Sequence, residues 1–198
     1  MKISISILLI TCLLVLSSCT LQEYRSNTPN ITITPPEKNS IQFTGKGAGA
    51  GMMLMSSMGP MGVAVGVAID VGTGKDIHET AVAGGVDVID ILKTSLLTSL
   101  NETPNHGITS LDIKIEKYGF KTTPGENAPC VVDVELSYSI NGSEWQAINS
   151  GEVYNQASNF APTRSLEVLK SDAKPTKRLF ELFAKELTQH ILTKRKRT

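Results

Sequence analysis

The chain has 198 residues, with 19 basic and 19 acidic side chains, a hydrophobic fraction of 40% and an aromatic fraction of 5%. That balance argues against broad electrostatic binding of nucleic acid, which needs a basic face. The length suffices for one domain with a real core plus a tether. Read from the start, Lys2 is followed by an apolar run, Ile3 to Leu16, that closes in Leu16-Ser17-Ser18-Cys19. The run is shorter than the about 20 residues that span a bilayer as a helix.

Ser17 and Ser18 offer a peptidase a slim, extended substrate, and Cys19 offers a thiol for diacylglyceryl transfer. The four residues resemble the lipobox of bacterial lipoprotein signal peptides at every position. The resemblance implies cleavage of residues 1–18 and a covalent lipid on Cys19 that anchors the chain, with no other cofactor. Thr20 stands where an aspartate would retain an enteric lipoprotein at the inner membrane. This implies the outer membrane, with the domain in the periplasm. Cys12 leaves with the leader and Cys19 is consumed, so Cys130 stands alone and is expected as a buried small hydrophobe.

Residues 19–44 read as a lipidated tether. They carry Pro29, Pro35 and Pro36, which stop regular elements, and two short alternations, Ile31–Thr34 and Ile41–Thr44, each able to add an edge strand. Residues 45–74 are the compositional outlier, with nine of the 16 glycines and five of the six methionines. The 23 residues between Lys46 and Asp70 are uncharged, a length that as one helix crosses a bilayer core of about 30 Å. Gly47 and Gly51, and again Gly62 and Gly66, have the spacing that lets helix backbones approach closely, while Pro60 divides the stretch into two arms. Three readings stay open: a zipper hairpin touching lipid or other copies of the chain, a cover over its own domain, or a buried strand pair. Gly47, Gly51, Gly62 and Gly66 are the candidate contact residues. Gly72-Thr73-Gly74-Lys75 lacks the hydroxyl after lysine that a phosphate-binding loop needs, and reads as a turn.

Residues 75–198 form the expected periplasmic domain. Val82, Val86, Ile89, Leu92, Leu96 and Leu100 recur at helical spacing, predicting one helix over 76–101 with Gly84-Gly85 as a soft spot. Asp87 and Asp90 fall on its polar side, where a solvated face outweighs a cation site. Alternation then predicts strands over 110–118 and 130–140, with Asn141-Gly142 as a tight turn and a return through Trp145, expected on the core, towards Val153. Residues 155–174 look irregular, and a last helix is predicted over 175–193. The fold class is therefore α+β, an antiparallel sheet of three to four strands packed by two helices.

No nucleophile–base–acid set stands out, and His78, His106 and His190 lack metal-ligand spacing, so no catalytic or metal residue is expected and the chain reads as a non-enzyme. Lipobox, Pro-rich tether and helix–strands–helix order together resemble small bacterial outer-membrane lipoproteins. The stretch from Ile41 to Gly51 is similar to the glycine-rich segment of an uncharacterised group of them. The glycine spacing over 45–74 resembles glycine-zipper surface antigens, and the element order resembles lipoproteins that assist lipopolysaccharide assembly or curli export. These resemblances imply an assembly or interaction module with an envelope protein partner. The alternative is an oligomeric pore- or export-associated subunit, and a third is a soluble-ligand binder using the sheet face.

Overall fold

A computed structural model describes residues 28–103, 105–122, 129–157 and 161–195. The expected leader over 1–18, Cys19 and the end of the basic tail lie outside them. Two strands dominate. β3 (Ser110–Thr122) and β4 (Cys130–Ile140) pair antiparallel along nearly their whole length. Along β4 the alternation holds as far as Tyr138, with Cys130, Val132, Val134, Leu136 and Tyr138 buried, and ends where Ser139 is buried as well. Along β3 a bulge between Ile115 and Lys117 resets it, so Leu111, Ile113 and Ile115 face inward before it and Tyr118 and Phe120 after it.

Each edge of this pair is built from two short strands. β1 (Asn30–Thr34) and β2 (Gln42–Thr44) lie end to end on the outer side of β3, both parallel to it. β5 (Gln146–Asn149) and β6 (Thr163–Arg164) lie end to end on the outer side of β4, both antiparallel. The class is α+β as expected, but the six-stranded sheet is mixed, not antiparallel, and larger than the pattern suggested. Sequence alternation reports the buried face of a strand and not the direction of its neighbour, so the two parallel partners are invisible to it. The segment 28–44, read as tether with edge strands, buries Ile31, Ile41 and Phe43 in the domain core.

Six helices, not two, accompany the sheet among the described residues. They are α1 (Lys46–Met58), α2 (Pro60–Ala83), α3 (Val88–Asn101), α4 (Ser150–Ala157), α5 (Leu166–Ser171) and α6 (Ala173–Arg195). The single helix expected over 76–101 is split. Gly85 adopts φ +70°, Val86 N–H reaches back to Ala81 O, and Asp87 starts α3 by accepting from the N–H groups of Ile89 (2.9 Å) and Asp90 (3.2 Å). Asp87 is thus a helix cap, and Val82, expected on the apolar face, is exposed. The Gly72–Lys75 turn is also absent, because α2 runs straight through it. Gly74 is there for packing: a Cβ would sit 3.0 Å from Ile41 O and from Phe43 N.

α6 carries Leu179, Phe180, Phe183, Leu187 and Ile191 into the core, and Phe180 packs 6.1 Å from the Tyr118 ring and 5.5 Å from the Phe120 ring. Asn141 and Gly142 take positive φ as the turn requires. Trp145, expected on the core, is 56% exposed, and the chain after β5 enters α4 instead of extending the return strand.

The wet face of the sheet carries a ladder of ion pairs, Lys117–Asp133 (3.0 Å), Lys117–Glu135 (2.9 Å) and Lys121–Asp133 (2.9 Å). Partial burial alone raises the Asp133 pKa, yet the Lys121 and Lys117 ammoniums bonded to its carboxyl outweigh that and hold it below the usual carboxylate range. A depressed folded-state pKa stabilises the fold above the unfolded value of about 3.9, and that contribution is lost as pH falls through the folded value. Asp133→Asn is expected to cost up to about 1 kcal/mol at neutral pH, since both lysines are partly solvated. The gap to the natural chain narrows as pH falls below the unfolded value, as urea midpoints measured from neutral pH to about pH 3 will check.

Candidate functional site: an apolar helical hairpin

The residues between the two glycine pairs decide how this segment folds. Gly59 takes φ +57° and Pro60 follows at the first position of α2, where its missing N–H costs nothing, so the chain reverses between α1 and α2. Small residues then let the arms touch backbone to backbone. Cβ atoms added at Gly47 and Gly66 would each collide with the other residue's carbonyl oxygen. A Cβ at Gly62 would lie 2.6 Å from Leu54 C and Met55 N. The structure thus brings Gly47, Gly51, Gly62 and Gly66 together, buried, in a contact between two arms of one chain.

Asp70 closes the base of the hairpin. Gly45 has no side chain to cap α1, and the carboxylate of Asp70 on α2 accepts from the N–H groups of Gly45 (3.0 Å) and Gly47 (2.6 Å) instead. A negative charge at that helix start also opposes the positive end of its dipole. Sequence reasoning took Asp70 only as the end of the uncharged run, because a cap borrowed from 23 residues away leaves no local signature.

With the glycines turned inward, the outside is apolar and open. Met52 is 72% exposed, Met53 80%, and Met55, Met58, Met61, Val63 and Val67 are all exposed as well. No residue between Phe43 and Ile77 joins the domain core. Among the described residues no helix is long and apolar enough to cross a membrane, and the one-helix span that the uncharged run allowed is replaced by two arms.

Where the hairpin meets the sheet, an open cleft of about 450 Å³ lies between β2 and α2, lined by Ile41, Phe43, Val67 and Val71, with Lys38, Lys75 and His78 among its polar groups. His78 Nδ1 faces Ile41 N–H at 3.5 Å. The three histidines stay apart. His106 accepts from Ile108 N–H in the loop before β3, and His190 is buried in α6, where desolvation and then Lys194 lower its pKa. No group of three His, Cys, Asp or Glu side chains that would hold a metal ion occurs among the described residues. Cys130 is fully buried, and burial pushes its thiol up to about 11, so little reactive thiolate forms at neutral pH. Leu16, Ser17, Ser18 and Cys19, expected as a lipobox, lie outside the described residues. The chain matches no protein-family model, no curated protein and no solved structure.

Proposed function

We propose that this chain is a lipid-anchored protein of the bacterial outer membrane, facing the periplasm, fastened through diacylglycerol on Cys19, and that it serves as a non-enzymatic assembly or interaction module. The hairpin of α1 and α2 is its contact element. The observation that carries this reading is the exposure of Met52, Met53, Met55 and Met61 on arms that add nothing to the domain core between Phe43 and Ile77. Exposed apolar surface that a fold does not need for its own stability marks an interaction surface. The alternative, an oligomeric pore- or export-associated subunit, has less support, because the glycine faces that would join copies are spent inside the hairpin.

Crosslinking in intact cells followed by pull-down tests the module. One envelope protein is expected to be captured by the natural chain. Intact mass of the same material is expected to show a chain starting at Cys19 with bound lipid. An unmodified chain starting at Met1 overturns the anchor, and capture of no envelope protein overturns the module.

A further inference from the structure

We infer that the α1–α2 hairpin is a wedge seated in one leaflet of a phospholipid membrane, a second attachment distinct from the lipid on Cys19. The inference rests on the hairpin being the contact element and names what it contacts.

Four observations converge on lipid over a protein surface. The first is length. α1 has 13 residues, about 20 Å at 1.5 Å per residue, against a hydrocarbon leaflet of about 15 Å. The arm is therefore about one leaflet deep and too short for the whole hydrocarbon core of about 30 Å.

The second is that apolar surface is exposed on more than one side. Met52 and Met55 share a groove with Val63 and Val67, while Met53, about 100° round α1 from Met52, and Met58 are exposed outside it. On α2, Met61, Val63 and Val67 are exposed too. A flat protein partner covers one stripe and leaves the others wet, whereas an apolar solvent covers all of them.

The third is that the tip pairs several of its own polar groups. Ser56 and Ser57 hydroxyls donate to Met53 O (2.9 Å) and Leu54 O (3.2 Å) within α1. Gly59 N–H donates to Met55 O and Gly62 N–H to Gly59 O, both at 3.0 Å, and Pro60 has no N–H to satisfy. Hydrocarbon demands such internal pairing, and a wet loop does not.

The fourth is where charge resumes. None occurs from 47 to 69, and at the base stand the exposed Lys46 and, beside the cleft, Lys38 and Lys75. Asp70 is held by the Gly45 and Gly47 N–H groups, and Lys75 lies 3.6 Å from Glu79 in a solvated pair. Lysines at that depth face phosphate headgroups, with their stems in the apolar zone.

The test places a fluorophore near the tip. The full chain carrying Trp145→Phe and Met55→Trp is bound to vesicles of phosphatidylethanolamine and phosphatidylglycerol, with bromine on the lipid acyl chains. The expected result is at least about twofold quenching by acyl bromine with protection from aqueous iodide, while natural Trp145 in the unaltered chain stays open to iodide. Met53→Glu with Val67→Glu, at exposed positions that leave the solution circular dichroism unchanged, is expected to restore iodide access. An iodide-accessible reporter on vesicle-bound protein overturns the wedge. So does protection that appears without lipid and rises with protein concentration, which identifies a second copy as the occupant. Intact mass read on the same sample keeps the two attachments separate. A deep reporter without lipid on Cys19 retains the wedge and removes the anchor, and a wet reporter with lipidated Cys19 does the reverse.

Discussion

Replacing Phe180 by alanine is expected to lower the free energy of unfolding by about 3–5 kcal/mol, out of a total of about 5–15 kcal/mol for a domain of this kind. Phe180 is fully buried on α6 and its ring meets those of Tyr118 and Phe120, so it ties the last helix to β3. Removing the ring forfeits the transfer free energy of its carbons, leaves a cavity between α6 and β3, and ends both aromatic contacts, each about 0.5–1.5 kcal/mol. The neighbours have little freedom to close the gap. Tyr118 is held by its hydroxyl, which donates to Asn39 Oδ1 at 2.9 Å, and β3 is paired on both sides. Phe180→Leu keeps most of the volume and is expected to lose less than half as much. Urea unfolding with a common slope for all three chains measures the difference, and a loss below about 1 kcal/mol for the alanine variant contradicts this packing.

Alanine at Gly62 is expected to open the hairpin and leave the domain intact. Two terms oppose each other. Alanine is favoured over glycine inside a helix by about 1 kcal/mol, while overpacking costs about 1–3 kcal/mol. At Gly62 the second wins, because the new Cβ lies 2.6 Å from backbone atoms of Leu54 and Met55, which cannot rotate aside as a side chain can. At Gly72 nothing lies within 4 Å of an added Cβ, so Gly72→Ala feels only the favourable term and is expected to stabilise α2. Amide hydrogen exchange reads both results locally. Exchange over 47–70 is expected to quicken about tenfold for Gly62→Ala and to slow for Gly72→Ala, a tenfold change being about 1.4 kcal/mol. The melting temperature should barely move with Gly62→Ala, because the core contains no residue of that stretch.

The central strands and the last helix are legible from the residues themselves. Cys130 to Tyr138 alternate without a fault, Asn141-Gly142 turns as that pair should, and Asp172 receives Lys174 N–H at 2.9 Å just where a helix start was expected. What escapes the sequence are interactions between distant segments. Gly72 and Gly74 resemble turn residues, yet Gly74 lies in a helix because the backbone of β2 passes against it. The short helices over 150–157 and 166–171 complete too few turns to print a period. Val82 keeps step with the apolar face of a helix that in fact ends one residue later and restarts in a new direction. In the hairpin the glycine spacing foretold close approach, with a zipper hairpin as one of three open readings, but not that the four glycines face the other arm and not lipid or a second copy. That outcome depends on Gly59 and Pro60 reversing the chain and on Asp70 latching its base.

α2 is one unbroken rod of 24 residues, with Pro60 at the hairpin tip and Ile77 and Ala81 embedded in the core. It is bolted to the body twice near its middle, by Gly74 lying flush on β2 and by Asp76 paired with Lys170 at 2.7 Å. A push at the tip therefore behaves like a load on a lever. It arrives at Gly74 as torque on the sheet edge, and the heading of the tip is dictated by the orientation of the whole body.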